Sequence, residues 1–157
     1  MNIKDRMIMD EYADSKNSFS KLGEVVQNKL SSLVEDCGIV IMRIEYQVKD
    51  EKSLESLLYK NTDSYQTLAD ITDVLSARVV CYFKDEVAKV GELISANFNV
   101  DTDNSSEKTY VCSLPENSEY EAEICNLNFE IQVKTVLEHT WSTINNDLGY
   151  SEFGIPS

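Results

Sequence analysis

Three groups of residues could do chemistry together. The first is Gln47-Val48-Lys49, followed by Ser53. The second is Asp70-Ile71-Thr72-Asp73, with Arg78 five residues on. The third is the run Phe129-Glu130-Ile131-Gln132-Val133-Lys134, with His139 just beyond it. In an extended chain, side chains alternate between faces, so Glu130, Gln132 and Lys134 share one face and Phe129, Ile131 and Val133 the other. An acid, an amide and a base in a row suit the wall of a polar cleft. Taken singly, each residue has an ordinary reading. Lys49 reads as a solvated strand-edge lysine, Asp70 or Asp73 as a turn cap, Arg78 as half of a surface ion pair and His139 as a helix-surface histidine. Taken together, Asp73, Glu130, Lys49 and Arg78 offer two carboxylates and two cations at the edges of three strands. Such a set can bind a divalent ion and neutralise phosphate oxygens.

These residues need a scaffold, and the pattern of apolar residues supplies one. Phe19, Leu22, Val26, Leu30, Leu33, Val34 and Cys37 form a helical stripe over about 18–37, and Gly38 is placed to end it. Residues 38–49 read as a strand, 52–59 as a short amphipathic helix and 68–75 as a helical turn. Residues 77–83 read as a buried strand, 85–97 as a second amphipathic helix, and 109–114 and 127–134 as further strands. Thr135-Val136-Leu137-Glu138 matches a capping box, opening a last helix to about Leu148 with Leu137, Trp141, Ile144 and Leu148 on its stripe. Residues 101–108 hold no hydrophobic residue and read as a loop. Strands and helices are mixed without strict alternation, which predicts an α+β fold with a mixed β-sheet flanked by helices.

At 157 residues the chain fits one domain with a real core. The domain is expected over 1–150, with the core at about 38–150, and 151–157 read as a tail or the start of a further segment. The N-terminus carries no secretory pattern and no apolar run is long enough to span a membrane. A cytoplasmic protein is therefore expected. Cys37, Cys81, Cys112 and Cys125 form no Cys-x-x-Cys pair, so reduced, mostly buried thiols are expected rather than a zinc site. The net charge of −14 argues against a broad nucleic-acid surface. It leaves room for a small phosphorylated ligand, which needs only a few local cations.

The stretches QVKDEKS (47–53), DITDVLSARVVCYFKDEVAKVGELI (70–94) and FEIQVKTVLEHTWSTINNDLGY (129–150) resemble the synthetase domain of the RelA/SpoT family. That resemblance implies a nucleotidyltransferase-like fold. It also implies Mg²⁺-dependent transfer of pyrophosphate from ATP to the 3′ hydroxyl of GDP or GTP, as in guanosine tetra- and pentaphosphate synthesis. By motif, Asp73 resembles the Mg²⁺-binding carboxylate, and Glu130 the carboxylate that contacts Mg²⁺ or activates the acceptor hydroxyl. Arg78 resembles the arginine that stacks on adenine. Lys49 and Ser53 resemble donor-phosphate contacts, and Gln132, Lys134 and His139 contacts to the acceptor nucleotide and neighbouring phosphates. A homo-oligomer or an added C-terminal segment is compatible with this reading.

The chain departs from the family pattern at several points. Gln47 stands where an arginine is usual, Leu57 where a lysine is usual, and Asn146 where histidine is common. The segment 101–109 lacks the Gly-Tyr-Arg-Ser-x-His type motif whose tyrosine stacks the guanine. Impaired acceptor binding is the expected consequence. Two other readings stay open: a catalytically degenerate nucleotide-binding regulatory module, and a toxin-type pyrophosphokinase with another acceptor.

Overall fold

A computed structural model describes residues 1–116 and 119–141. Its elements are α1 (Ile3–Asp36), β1 (Ile41–Val48), α2 (Glu51–Lys60), β2 (Leu75–Cys81), α3 (Lys84–Asn97), β3 (Asn99–Val100), β4 (Thr109–Ser113), α4 (Ala122–Cys125) and β5 (Phe129–Thr135). A 3-10 turn, Leu68–Asp70, precedes β2, and a helix, α5, runs over 136–141. The five strands form one mixed sheet in the order β1-β2-β5-β4-β3. β2 and β5 run parallel at its centre, and the remaining pairs are antiparallel. This is the expected α+β class. Among the described residues no helix is long and apolar enough to cross a membrane.

The two sheet faces have different fates. Ala77, Val79, Phe129, Ile131 and Val133 are buried in the core with the stripe of α1 and with Val90 and Ile94 of α3. Tyr46 and Tyr110 share this covered face, as their register opposite Ala77 and Ile131 requires. The other face carries Gln47, Glu45, Ser76, Arg78, Glu130, Gln132 and Lys134. β5 shows this split most plainly, alternating buried and half-buried along its whole length. Burying apolar surface contributes about 25 cal/mol per Å², so the Phe129/Ile131/Val133 face fixes the strand's orientation and the polar face follows.

Several predicted boundaries move: the helical turn expected over 68–75 is a 3-10 turn over Leu68–Asp70 only, and the strand expected over 77–83 is Leu75–Cys81. The helix expected from about residue 18 begins at Ile3, because its stripe continues through Ile8 and Tyr12 across a polar stretch that hides the period. The side chain of Asn2 caps it by accepting from the Asp5 amide at 2.8 Å. Leu137 and Trp141, both expected on the apolar stripe of the last helix, are 79% and 42% exposed. Leu137 lies in the first turn of α5, past the end of β5. The short elements β3 and α4 carry too few residues to show a period. Ile144 and Leu148, and the helix end at Gly149, lie outside the described residues.

Cys81 and Cys112 are buried and Cys37 is exposed; all four thiols are free. Burial pushes the Cys81 thiol up to about 11 and the Cys112 thiol up to about 12, so both stay protonated at neutral pH.

Packing of α1 on the sheet is close where Gly23 meets Tyr46: a Cβ at Gly23 would run into the Tyr46 ring. Gly23→Ala should therefore lower stability by about 1–3 kcal/mol through overpacking, despite alanine's better helix propensity. Urea unfolding should show a lower midpoint with an unchanged slope.

Candidate active site

The register of the three central strands lays the polar residues out in rows. Gln47, Ser76 and Glu130 lie side by side, with Val111 beyond. Glu45, Arg78, Gln132 and Thr109 form the next row. Arg43, Val80 and Lys134 form the third. The first of the three residue groups meets the second through β1–β2 pairing, and the second meets the third through β2–β5 pairing.

The acidic end of this face sits where the chain enters β2. The Thr72 hydroxyl donates to Glu130 Oε2 at 2.6 Å, tying β5 to the turn before β2. Asp73 follows Thr72 directly, and its Oδ2 lies 3.4 Å from Lys49 Nζ. The Lys49 side chain is 18% exposed and Asp73 43%, so the lysine is held in place while the carboxylate still meets solvent. Lys49 is fixed by its backbone as well. Its amide donates to the Val74 carbonyl at 2.7 Å, and its carbonyl accepts from the Tyr12 hydroxyl at 2.7 Å. Tyr12 belongs to the part of α1 that the periodicity did not reveal, so this support was missed. Asp70 takes the other role open to it: its Oδ2 accepts from the Gln66 and Thr67 amides, capping the 3-10 turn. Ser53 is exposed on the first turn of α2, where its amide donates to the capping side chain of Asp50 at 2.7 Å. That bond is the main reason the Asp50 carboxyl lies below its usual range.

The basic end lies further along β2 and β5. Arg78 Nη1 is 3.3 Å from Glu45 Oε1, and Arg43 Nη1 is 3.5 Å from Glu45 Oε2. Arg78 Nε is buried and has no hydrogen-bond partner among the described residues. Lys134 is half-buried, and its ammonium is pulled below the usual lysine range, first by burial and then by the nearby Arg78 charge. Glu138 opposes that shift. His139 is half-buried on α5.

Lys108 was not singled out from the sequence, yet it ends beside this cluster. Its Nζ lies 2.5 Å from Glu138 Oε2, and its carbonyl accepts from the Val133 amide at 2.8 Å. The Thr135 capping box forms as expected: Thr135 Oγ1 accepts from the Glu138 amide, and Glu138 Oε1 accepts from the Thr135 amide, both at 3.3 Å. One glutamate thus caps α5 and fastens the 101–108 loop to it. That loop is closed upon itself. The Ser105 hydroxyl donates to the Asp101 carbonyl at 2.6 Å and accepts from the Val111 amide at 2.9 Å, while Asp101 also binds the Asn104 side chain.

A cavity of about 230 Å³ opens on the polar face between Glu45, Gln47, Ser76, Arg78 and Gln132. Among the described residues no three acidic, histidine or cysteine side chains cluster as a self-sufficient metal site. Asp73 and Glu130 provide two carboxylates. This is the donor set a magnesium ion uses when substrate phosphates and water complete its shell.

Residues 49–154 match the family described as the region found in RelA / SpoT proteins. The chain belongs to the RelA/SpoT family. A comparison with curated proteins gave no match. Among solved structures, the fold is similar to small alarmone synthetase 1 from Bacillus subtilis, with a TM-score of 0.74 and 20% identity over 94% of this chain and 82% of that one. The same synthetase bound to its product pppGpp gives a TM-score of 0.71 at 19% identity, over 94% and 83%. A GTP pyrophosphokinase family protein from Streptococcus pneumoniae gives 0.71 at 19% identity, over 100% and 82%. At these identities the likeness establishes a shared fold. The RelA/SpoT membership and the mixed sheet agree with the resemblance carried by the three sequence stretches.

The Glu138 carboxyl is held below its usual range, chiefly by the Lys108 contact. A carboxyl depressed in the folded state adds stability above its unfolded pKa, and that stability is lost as pH falls through the folded value. Glu138→Gln should therefore be less stable than the wild type at pH 7. The gap should close below the ordinary glutamate range of about 4.3. Urea midpoints at pH 7 and pH 3 would show this.

Proposed function

We propose that the chain is a nucleotide pyrophosphokinase of the alarmone-synthetase type, taking ATP as donor and GDP or GTP as acceptor. The reading rests on the family membership and on the contacts made where the chain enters β2. Glu130 is anchored through Thr72, and Asp73, the next residue, faces Lys49. Asp73 and Glu130 would hold Mg²⁺, which when bound neutralises charge on the donor phosphates. Lys49 bears on the outer phosphate oxygens, with Ser53 nearby on the first turn of α2. The Arg78 guanidinium offers a flat face to the donor base. Gln132, Lys134 and His139 serve the acceptor nucleotide and neighbouring phosphates.

In the transfer, the acceptor 3′ oxygen bonds to the β-phosphorus of ATP. The bond between that phosphorus and the α–β bridging oxygen breaks, and AMP leaves with the electron pair. Glu130, oriented by the Thr72 hydroxyl, would take the hydroxyl proton. Phosphoryl transfer of this kind depends on positioning and charge neutralisation rather than on a covalent intermediate with the protein. That suits a site built from carboxylates and lysines.

The closed 101–108 loop favours a second reading, a nucleotide-binding module with weak or no turnover. The loop's polar groups satisfy one another and leave no aromatic side chain to stack a guanine, a contact worth about 1–3 kcal/mol per base. Gln47 and Leu57 point the same way.

The assay combines purified protein, labelled ATP, GDP or GTP, and Mg²⁺. Labelled product should appear. Asp73→Asn and Glu130→Gln should each cut the rate by at least about 100-fold while circular dichroism stays unchanged. ATP binding by calorimetry with no product would support the second reading, and no nucleotide binding at all would end both.

A further inference from the structure

The cavity between Glu45, Gln47, Ser76, Arg78 and Gln132 contains one feature that the transfer chemistry leaves unused. Glu45 projects onto the polar face beside Arg78, and both are about one-third exposed. Its two oxygens meet Arg78 at 3.3 Å and Arg43 at 3.5 Å. An ionised carboxylate offers about four lone-pair sites, so two such contacts leave acceptor capacity toward the cavity.

The charges decide what could enter. A carboxylate lining the cavity repels phosphate oxygens and offsets the Arg78 charge. The cavity's volume, about 230 Å³, is below the ~300–1,000 Å³ that encloses a drug-sized ligand. It therefore suits one ring system and not a whole nucleotide. A neutral, planar group with an N–H donor on its edge fits the lining: Glu45 can only accept, while the Gln47 and Gln132 amides can do both.

We propose that Glu45 is a specificity-determining residue that reads the exocyclic amino group of the donor base. This rests on the nucleotide reading above, in which Arg78 faces the adenine of ATP. Glu45 then does two things. It holds the guanidinium at the cavity wall through Nη1, and it accepts a hydrogen bond from the adenine 6-amino group. The chain has Gln47 where the family pattern has a second arginine, so the base is gripped from one face only. Recognition of its edge takes over part of the work of that lost contact.

The test measures calorimetric affinity, with Mg²⁺, for ATP and for purine riboside 5′-triphosphate, which is ATP without the 6-amino group. The wild type should bind ATP at least about tenfold more tightly, the size expected for one hydrogen bond to a charged group. In Glu45→Ala the two ligands should bind alike. Glu45→Gln, which keeps an acceptor oxygen without the charge, should retain part of the preference and guards against a folding defect in the alanine variant. Equal binding of both ligands by the wild type would overturn the inference, and so would a preference that survives in Glu45→Ala. Either result would leave the nucleotide reading intact. Failure of the wild type to bind ATP would overturn that reading, and this inference with it.

Discussion

The parallel pairing of β2 with β5 is the constraint on which the site depends. It sets Ser76 beside Glu130 and Arg78 beside Gln132, joining parts of the chain more than fifty residues apart. A parallel pair needs a crossover connection, and α3 with the β3–β4 hairpin and α4 supplies it. The same connection puts α3 on the apolar face beside α1, so that face is closed by helices and the other keeps its charged groups. A slip of one residue in β5 would turn Phe129, Ile131 and Val133 outward and Glu130, Gln132 and Lys134 into the core. The cost of burying those groups protects the arrangement of the site as firmly as the apolar contacts do.

Along the polar face the charges separate by position. Carboxylates gather where the chain enters β2, and cations gather where β2 and β5 end. The separation is not absolute, because each cluster contains a counter-charge: Lys49 beside Asp73, Glu45 beside Arg78, Glu138 beside Lys108. Half-exposed pairs of this kind contribute little to stability, typically 0–1 kcal/mol. Their consequence is positional. A long side chain that would otherwise sample many rotamers is kept near one place, which lowers the entropy lost when a ligand arrives. The pairs also divide the face by charge, with the Lys49–Asp73 pair at one end, Glu45 with Arg78 in the middle and Lys108 with Glu138 beyond.

The 101–108 segment is a loop held by its own side chains, separate from what fixes the fold. Asp101, Asn104 and Ser105 satisfy the turn internally, and Lys108 ties it to α5 through Glu138. The sheet needs only the hairpin's two ends in register, Asn99 with Ser113 and Val100 with Cys112. Whatever the loop presents to a ligand is therefore free to change while strands β3 and β4 remain in place.

The sequence by itself determined the face division of β5, the positions of the main strands and helices, the capping of α5 by Thr135 and Glu138, and the family resemblance. These are local properties: a period of two or 3.6, a cap at fixed spacing, a motif in a row. It also marked Asp73, Glu130, Lys49 and Arg78 as a set, without saying how they would meet. Only the tertiary structure decided that Thr72 fastens Glu130, that Tyr12 braces Lys49 from the first half of α1, and that Asp70 rather than Asp73 caps the turn. The same holds for Glu45 against Arg78 and for Lys108 against Glu138. Each of these contacts joins residues from separate elements, or depends on which way a loop folds back. Strand register and helix packing set such distances, and neither has a period that can be read along one segment of chain.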